Sequence, residues 1–249
     1  MKEKLYTIPV NDAINEDDEC LLCNAMRALE RDAIDYAIGP AASYMESDTR
    51  EATDKIGFCK HHFQMMYDYG NSLGNALILT SHIRKIKADL SKQMNSYKPA
   101  ATGMFKKEEQ SNVETYLDNL SSRCYVCEYY KETYKRYLDT FFYLYEKDDD
   151  FSGKVKSGKG FCLEHMNELL HEAPKHFKGT ELKEFTDMLF KLQKENLDRI
   201  EEDINWFVEK FKYENKDKDW KNSRDAIPRT IQKIVGGYPA DGPYKEPKN

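Results

Sequence analysis

The sequence predicts an all-α fold: two tandem helical repeats, each organised around a Cys3His metal site, with a C-terminal docking helix behind them. Three observations carry that expectation. The six cysteines of the 249-residue chain fall into two sets of matching spacing. Long stretches set apolar residues three and four apart, the period of an amphipathic helix. No stretch shows the apolar–polar alternation of a half-buried strand.

The first set is Cys20-Leu21-Leu22-Cys23, followed by Gly57-Phe58-Cys59-Lys60-His61-His62. The second is Cys124-Tyr125-Val126-Cys127, followed by Gly160-Phe161-Cys162-Leu163-Glu164-His165. Corresponding positions are offset by 104 or 103 residues, and no cysteine is left over. Self-similarity at one fixed offset of domain size reads as a tandem duplication. The expected division is a first Cys3His repeat over 1–103, a linking helix and second repeat over 104–213, and a tail with a short helix over 214–249.

Taken in order, Cys20 to Tyr36 reads as a helix that Gly39-Pro40 ends, as a C-terminal glycine followed by proline should. A second helix is expected from Asp48 to Tyr69, interrupted near Gly57. Gly70 and Gly74 mark a turn before a long helix from Asn75 to Met94. Pro99 to Gly103 reads as the joint between repeats. Lys106 to Leu120 reads as a polar linking helix, and Cys124 to Tyr145 as the helix that opens the second copy. Glu146 to Gly160 reads as a polar loop, and a short helix starts near Cys162. A long amphipathic helix follows over Thr180 to Phe211. In the tail, Ile227, Ile231 and Ile234 share a face, and this short helix is expected to dock on the body. Gly236 closes it, and the last dozen residues are expected to fray.

The spacing has a chemical reason. Two cysteines three apart at a helix start put both sulfurs on one turn, where unpaired N–H groups and the positive end of the helix favour thiolates. Cys-x-x-His at another helix start presents a sulfur and an imidazole in the same way. Four such donors make a closed tetrahedral set, which suits a structural zinc ion. Grouping each pair with the next one along the chain gives Cys20, Cys23, Cys59 and His62 for one site. Cys124, Cys127, Cys162 and His165 then form the other. Two zinc ions are expected; an iron–sulfur cluster with one histidine ligand uses the same donors. Buried packing and disulfides are the other fates open to these cysteines. His62 is preferred to His61 because it matches His165, whereas His61 aligns with Glu164.

Other features have simpler readings. The aromatic stripe Tyr130, Tyr134, Tyr137 and Phe141 could stack a planar ligand, but core packing explains it. Asp148-Asp149-Asp150 lacks the spacing of a calcium loop. Acidic groups between Ser43 and Thr53 could orient a ligand histidine, with helix capping by Ser47 or Asp48 the simpler account. His82, His171 and His176 have no partners at ligand spacing. Phosphate-loop, nucleophile-elbow and zinc-protease motifs are absent from the sequence.

Several runs together resemble a known bacterial family of unknown function, domain of unknown function 6062. They are the opening Met1-Lys2-Glu3-Lys4-Leu5-Tyr6-Thr7-Ile8-Pro9-Val10-Asn11-Asp12-Ala13, Gly39-Pro40, Ser43-Tyr44-Met45-Glu46, Gly57-Phe58-Cys59 with His62, and Leu73-Gly74-Asn75-Ala76-Leu77. The resemblance covers the whole chain and implies no activity. Leu21 stands where many members carry Pro, a change that leaves the ligands untouched.

Apolar residues make up 40% and charged residues 33%, and the formal net charge is −6. That balance argues against broad binding to nucleic acid or anionic membranes. With no signal peptide or membrane span in the sequence, the expected place is the cytoplasm. The expected function is a zinc-stabilised intracellular adaptor or regulator that binds a protein partner, since no catalytic constellation stands out. The alternatives are an iron–sulfur or zinc–thiolate redox sensor, and an enzyme with its site in a cleft between the repeats.

Overall fold

A computed structural model of the chain describes residues 6–40, 46–97 and 110–237. The described residues form eleven α-helices and one 3-10 turn, with no strand among them. In order they are α1 (Thr7–Asn15), α2 (Leu21–Ile38), α3 (Ser47–Ile56), α4 (Lys60–Tyr69), α5 (Ser72–Asn95) and α6 (Asn112–Ser122). Then come α7 (Tyr125–Lys147), α8 (Asp149–Ser157), α9 (Leu163–His176), α10 (Gly179–Glu209) and α11 (Ala226–Val235). Among the described residues no helix is long and apolar enough to cross a membrane. Met1 to Leu5, Ser43-Tyr44-Met45, the Pro99–Gly103 joint and the last dozen residues lie outside the described segments.

The chain forms two compact units: Met1–Ala28 with Tyr134–Asn249, and Leu29–Thr133. The boundaries fall inside α2 and α7.

In the unit Leu29–Thr133 the core is Ala33, Ile34, Ala37, Ile38, Phe58, Met66, Ile78, Cys124 and Val126. Here α5 packs along α3 and meets α4 and α6. Asn71 sets the start of α5: its side chain accepts from Gly74 N at 2.9 Å and donates to Ile38 O at 2.7 Å. The helix therefore begins at Ser72 rather than Asn75, with Gly74 inside its first turn. The break expected near Gly57 separates α3 from α4. Neither Ser47 nor Asp48 caps α3; its N-cap is Glu46, without a side-chain cap bond.

In the unit Met1–Ala28 with Tyr134–Asn249 the core is aromatic. Phe141 meets Phe142, Phe151 and Phe161 edge-on at centroid distances of 5.3, 5.7 and 6.0 Å. Edge-to-face pairs of this kind add about 1 kcal/mol each beyond area burial. Tyr134, Tyr137 and Phe141 of the aromatic stripe are buried in the core, and Tyr130 is half-buried. His176 stacks on Phe142 at 4.3 Å. The long helix α10 buries Phe185, Leu189, Leu192, Gln193, Asn196 and Ile200, one helical face.

One expectation is overturned in this unit. The polar loop proposed for 146–160 contains α8. Asp148 caps it, accepting from Phe151 N at 3.1 Å, and Asp149 and Asp150 sit at its positive end with Lys154 and Lys156 in the last turn. Those charges complement the helix dipole while Phe151 and Val155 go inward. The tail helix α11 docks as expected. Ile227 and Ile234 are exposed and Ile231 is half-buried, while Gln232 and Lys233 are buried. Polar partners below the helix, described next, draw that face in.

Candidate metal centres

All four helix starts hold the expected donors. Cys59 and Cys162 are the N-cap residues of α4 and α9, which puts His62 and His165 at the third helical position. The Cys162 sulfur accepts from His165 N at 3.4 Å, doing the work of a capping side chain. Cys20 and Cys124 immediately precede α2 and α7, with Cys23 and Cys127 in their first turns.

The grouping of the donors differs from the expected one. Cys20, Cys23, Cys162 and His165 form one cluster, and Cys59, His62, Cys124 and Cys127 form the other. The CxxC pair of each repeat copy thus joins the CxxH pair of the opposite copy. The division into 1–103 and 104–213 sends donors of each segment to both clusters. Each cluster lies wholly within one compact unit.

In the first cluster His165 Nδ1 lies 3.3 Å from Cys20 Sγ, 3.3 Å from Cys23 Sγ and 3.2 Å from Cys162 Sγ. Cys23 and Cys162 stand 3.7 Å apart. All four residues are buried. In the second, His62 Nδ1 lies 3.2 Å from Cys59, 3.1 Å from Cys124 and 3.4 Å from Cys127. Cys59 and Cys127 stand 4.0 Å apart and are partly exposed. His61, exposed, is no donor to either set of cysteines, although it shares Glu30 with His62.

Donors packed this closely compete for protons. Hydrogen bonds from Cys20 and Cys23 hold the Cys162 thiol far below the usual thiol range, and the bond to Cys162 drives Cys23 far above it. Burial works against a charged imidazole at His165, yet its bonds to Cys162 and Cys20 push it up to about 10. His62 follows suit, raised to about 10 against burial by Cys124 and Glu30. Burial opposes a thiolate at Cys124, but the His62 bond brings it down to about 6. Burial and the neighbouring Cys124 take Cys127 up to about 12. Without an ion each cluster thus pairs a thiolate with a charged imidazole and a thiol that keeps its proton, and a cation bound among the four donors would displace those protons.

What surrounds the donors differs between clusters. His62 Nε2 faces Glu30 Oε1 at 2.9 Å, a carboxylate partner that fixes the ring with Nδ1 toward the sulfurs. The acidic group that orients a histidine thus comes from α2 and not from 43–53. His165 Nε2 instead meets the Met26 sulfur, at 2.8 Å. Beside the first cluster, Lys233 donates to Glu19 O at 2.7 Å and Lys159 O at 2.6 Å, and lies 3.2 Å from Glu19 Oε2. Burial lowers the Lys233 pKa, partly offset by Glu19. Gln232 donates to Asp18 Oδ1 at 2.7 Å, and the same oxygen accepts from Cys20 N at 2.9 Å. Glu30, Met26 and Lys233 escaped the sequence reading because their partners lie 32 to 214 residues away.

Each Gly-Phe-Cys knuckle is clamped from a long helix. Gln193 of α10 accepts from Phe161 N at 3.2 Å and donates to Phe161 O at 2.9 Å. His82 of α5 bonds Asp54 O through Nδ1 at 2.9 Å and abuts Gly57. Gly57 O in turn accepts from Tyr125 N at 2.9 Å, tying the knuckle to the start of α7.

No curated protein and no solved structure matches the chain. The matching family model, described as a family of unknown function (DUF6062), covers residues 1–241, and the chain belongs to that family.

Proposed function

We propose that the chain is a two-zinc protein whose ions fix the crossed helix starts and so present its helical faces to a protein partner. The observation that carries the metal reading is the size of the donor clusters. A single tetrahedral ion with bonds of about 2.3 Å to sulfur and 2.0 Å to nitrogen sets sulfur–sulfur edges near 3.8 Å and sulfur–nitrogen edges near 3.5 Å. Cys23–Cys162 and Cys59–Cys127 stand at 3.7 and 4.0 Å, and the sulfur–nitrogen pairs at 3.1 to 3.4 Å. All donor atoms of each set lie within 4.8 Å of one another. A four-iron cluster needs its cysteine sulfurs on separate irons, more than about 5 Å apart. The edges therefore favour one ion over a cluster, and a Cys3His set favours zinc.

Metal content per chain on protein purified under argon tests this. About two zinc per chain with no visible colour is the expected result for two closed d10 sites. Iron with visible absorbance, or no metal with six titratable thiols, overturns it.

The binding role rests on one exposed apolar face. Leu79, Ile83 and Met94 lie on the same side of α5 and are 47%, 60% and 60% exposed. Single apolar residues on a surface are ordinary, whereas a row along one helix marks a surface suited to a partner. Leu79→Glu with Ile83→Glu should abolish capture of any protein that the parent retains. Retention unchanged by that pair sinks the α5 assignment.

A further inference from the structure

We propose that the second cluster is a thiol modification site, at which a peroxide oxidises Cys59 and Cys127 to a disulfide and expels the ion. This rests on the reading that the cluster holds an ion.

The two clusters share donors but not surroundings. Around the first, Cys20 is 0%, Cys23 3%, Cys162 0% and His165 4% exposed. The end of α11 seals it: a Cβ on Gly236 would stand 3.5 Å from Cys162 Sγ and 3.7 Å from Cys23 Sγ. Next to Gln232, which bonds Asp18, Lys233 is 1% exposed and ties the same helix to Glu19 O, so this side is covered. In the second cluster Cys124 and His62 are buried, but Cys59 and Cys127 reach solvent. Those same two sulfurs are a close pair, 4.0 Å apart. They sit on separate helix starts, so modest movement brings them to bonding distance.

Charge points the same way. Three thiolates and a neutral imidazole around a divalent ion leave a net charge of −1 at each centre. At the second, the Glu30 carboxylate on His62 Nε2 makes the imidazole a stronger donor and raises electron density on the sulfurs. At the first, Met26 takes that place, and the nearby Lys233 ammonium is paired with the Glu19 carboxylate. The electron-rich, accessible thiolates are therefore those of the second centre, and exposure with thiolate character governs oxidation.

The chemistry balances. One thiolate attacks a peroxide oxygen, the O–O bond breaks, and a sulfenic acid forms with release of water after protonation. The second thiolate attacks that sulfur and expels the hydroxyl, which leaves as a second water. Two sulfurs lose two electrons, one peroxide gains them, and two protons are consumed. Cys124 and His62 alone then hold the ion, and it dissociates.

The test uses the unmodified full chain, so no variant has to fold. Zinc per chain is measured first under argon. Hydrogen peroxide is then added with a colorimetric zinc chelator, and samples are alkylated and mapped by mass spectrometry. One of the two equivalents should leave at least about tenfold faster than the other, in step with a Cys59–Cys127 disulfide. Simultaneous release, earlier oxidation of Cys20, Cys23 or Cys162, or retention of both ions at peroxide levels that oxidise a free cysteine overturns the proposal. A chain with no ion before peroxide is added sinks the metal reading, and this proposal with it.

Discussion

Cys20 Sγ lies 3.3 Å from His165 Nδ1 although 145 residues separate the two along the chain. The second centre repeats the crossing, with His62 Nδ1 3.1 Å from Cys124 Sγ across 62 residues. A duplication in which each copy completes its own site needs neither contact. Here neither copy owns a complete centre, so an ion bound at either one closes a long loop and draws on both copies. Such closure is coupled to folding, because the donors converge only in the folded chain.

Crossing makes a sharp prediction about pairs of substitutions. Cys20→Ser with Cys162→Ser removes two donors from one centre and should cost one equivalent of zinc. Cys20→Ser with Cys59→Ser breaks both centres and should cost two. Sequential grouping requires the reverse. Metal analysis of the two double variants, each alongside its single variants, decides between them.

The donors themselves were legible in the sequence, because helix starts and Cys-x-x-Cys or Cys-x-x-His spacing are local properties. Their grouping was not. Spacing places Cys20 beside Cys23 and Cys59 beside His62, but which pair meets which is set by how α2, α4, α7 and α9 pack. α8 was missed because Asp148-Asp149-Asp150 and its glycines read as loop, whereas Phe151 and Val155 at helical spacing and the Asp148 cap carried the signal. For α11 the apolar period of Ile227, Ile231 and Ile234 does not mark the most buried face. The buried face is chosen by Glu19, Asp18 and the Lys159 carbonyl, which local periodicity does not see.

Glu30 should matter to one centre only. Its carboxylate holds His62 Nε2 at 2.9 Å, and partners of this kind typically contribute 10- to 100-fold in metal affinity. Glu30→Gln keeps the size and weakens the acceptor. Zinc affinity at the second centre is expected to fall by about tenfold or more, with the first unchanged. Competition with a chromophoric chelator reads the two steps separately. Equal weakening of both, or of neither, contradicts the assignment.

Lys233 holds α11 down. Its buried ammonium serves two carbonyls and Glu19, and Glu19 is itself 2% exposed and bonded to Arg199. Removing one member of a buried charge set commonly costs about 3–5 kcal/mol. Arg199 and Arg229 still face Glu19, which places Lys233→Met at the lower end. Denaturant unfolding should show a loss of about 3 kcal/mol, and limited proteolysis should cut first within 226–237. A variant as stable and as resistant as the parent means that the ammonium contributes nothing net.

Gly57 and Gly160 occupy the same place in the two knuckles, with φ of +73° and +76°. At Gly57 ψ is −162°, a region open essentially to glycine alone. A Cβ there would also stand 2.7 Å from Nε2 of His82, a side chain buried and held by Asp54 O. At Gly160 the nearest atom is Gln193 Oε1 at 3.1 Å, a tight contact that a small shift relieves. Both alanine variants carry backbone strain of about 1–3 kcal/mol, and Gly57→Ala carries a steric clash besides. Gly57→Ala should therefore be the more destabilised and should weaken zinc at the second centre, with Gly160→Ala acting on the first. Gly153→Ala, inside α8 with nothing within 4 Å, is the control and should stabilise by about 0.5–1 kcal/mol. Adding His82→Ala to Gly57→Ala removes the clash but leaves the φ strain, so the double variant should recover only part of the loss. Full recovery means that the close approach of His82, and not the backbone, demands glycine at this knuckle.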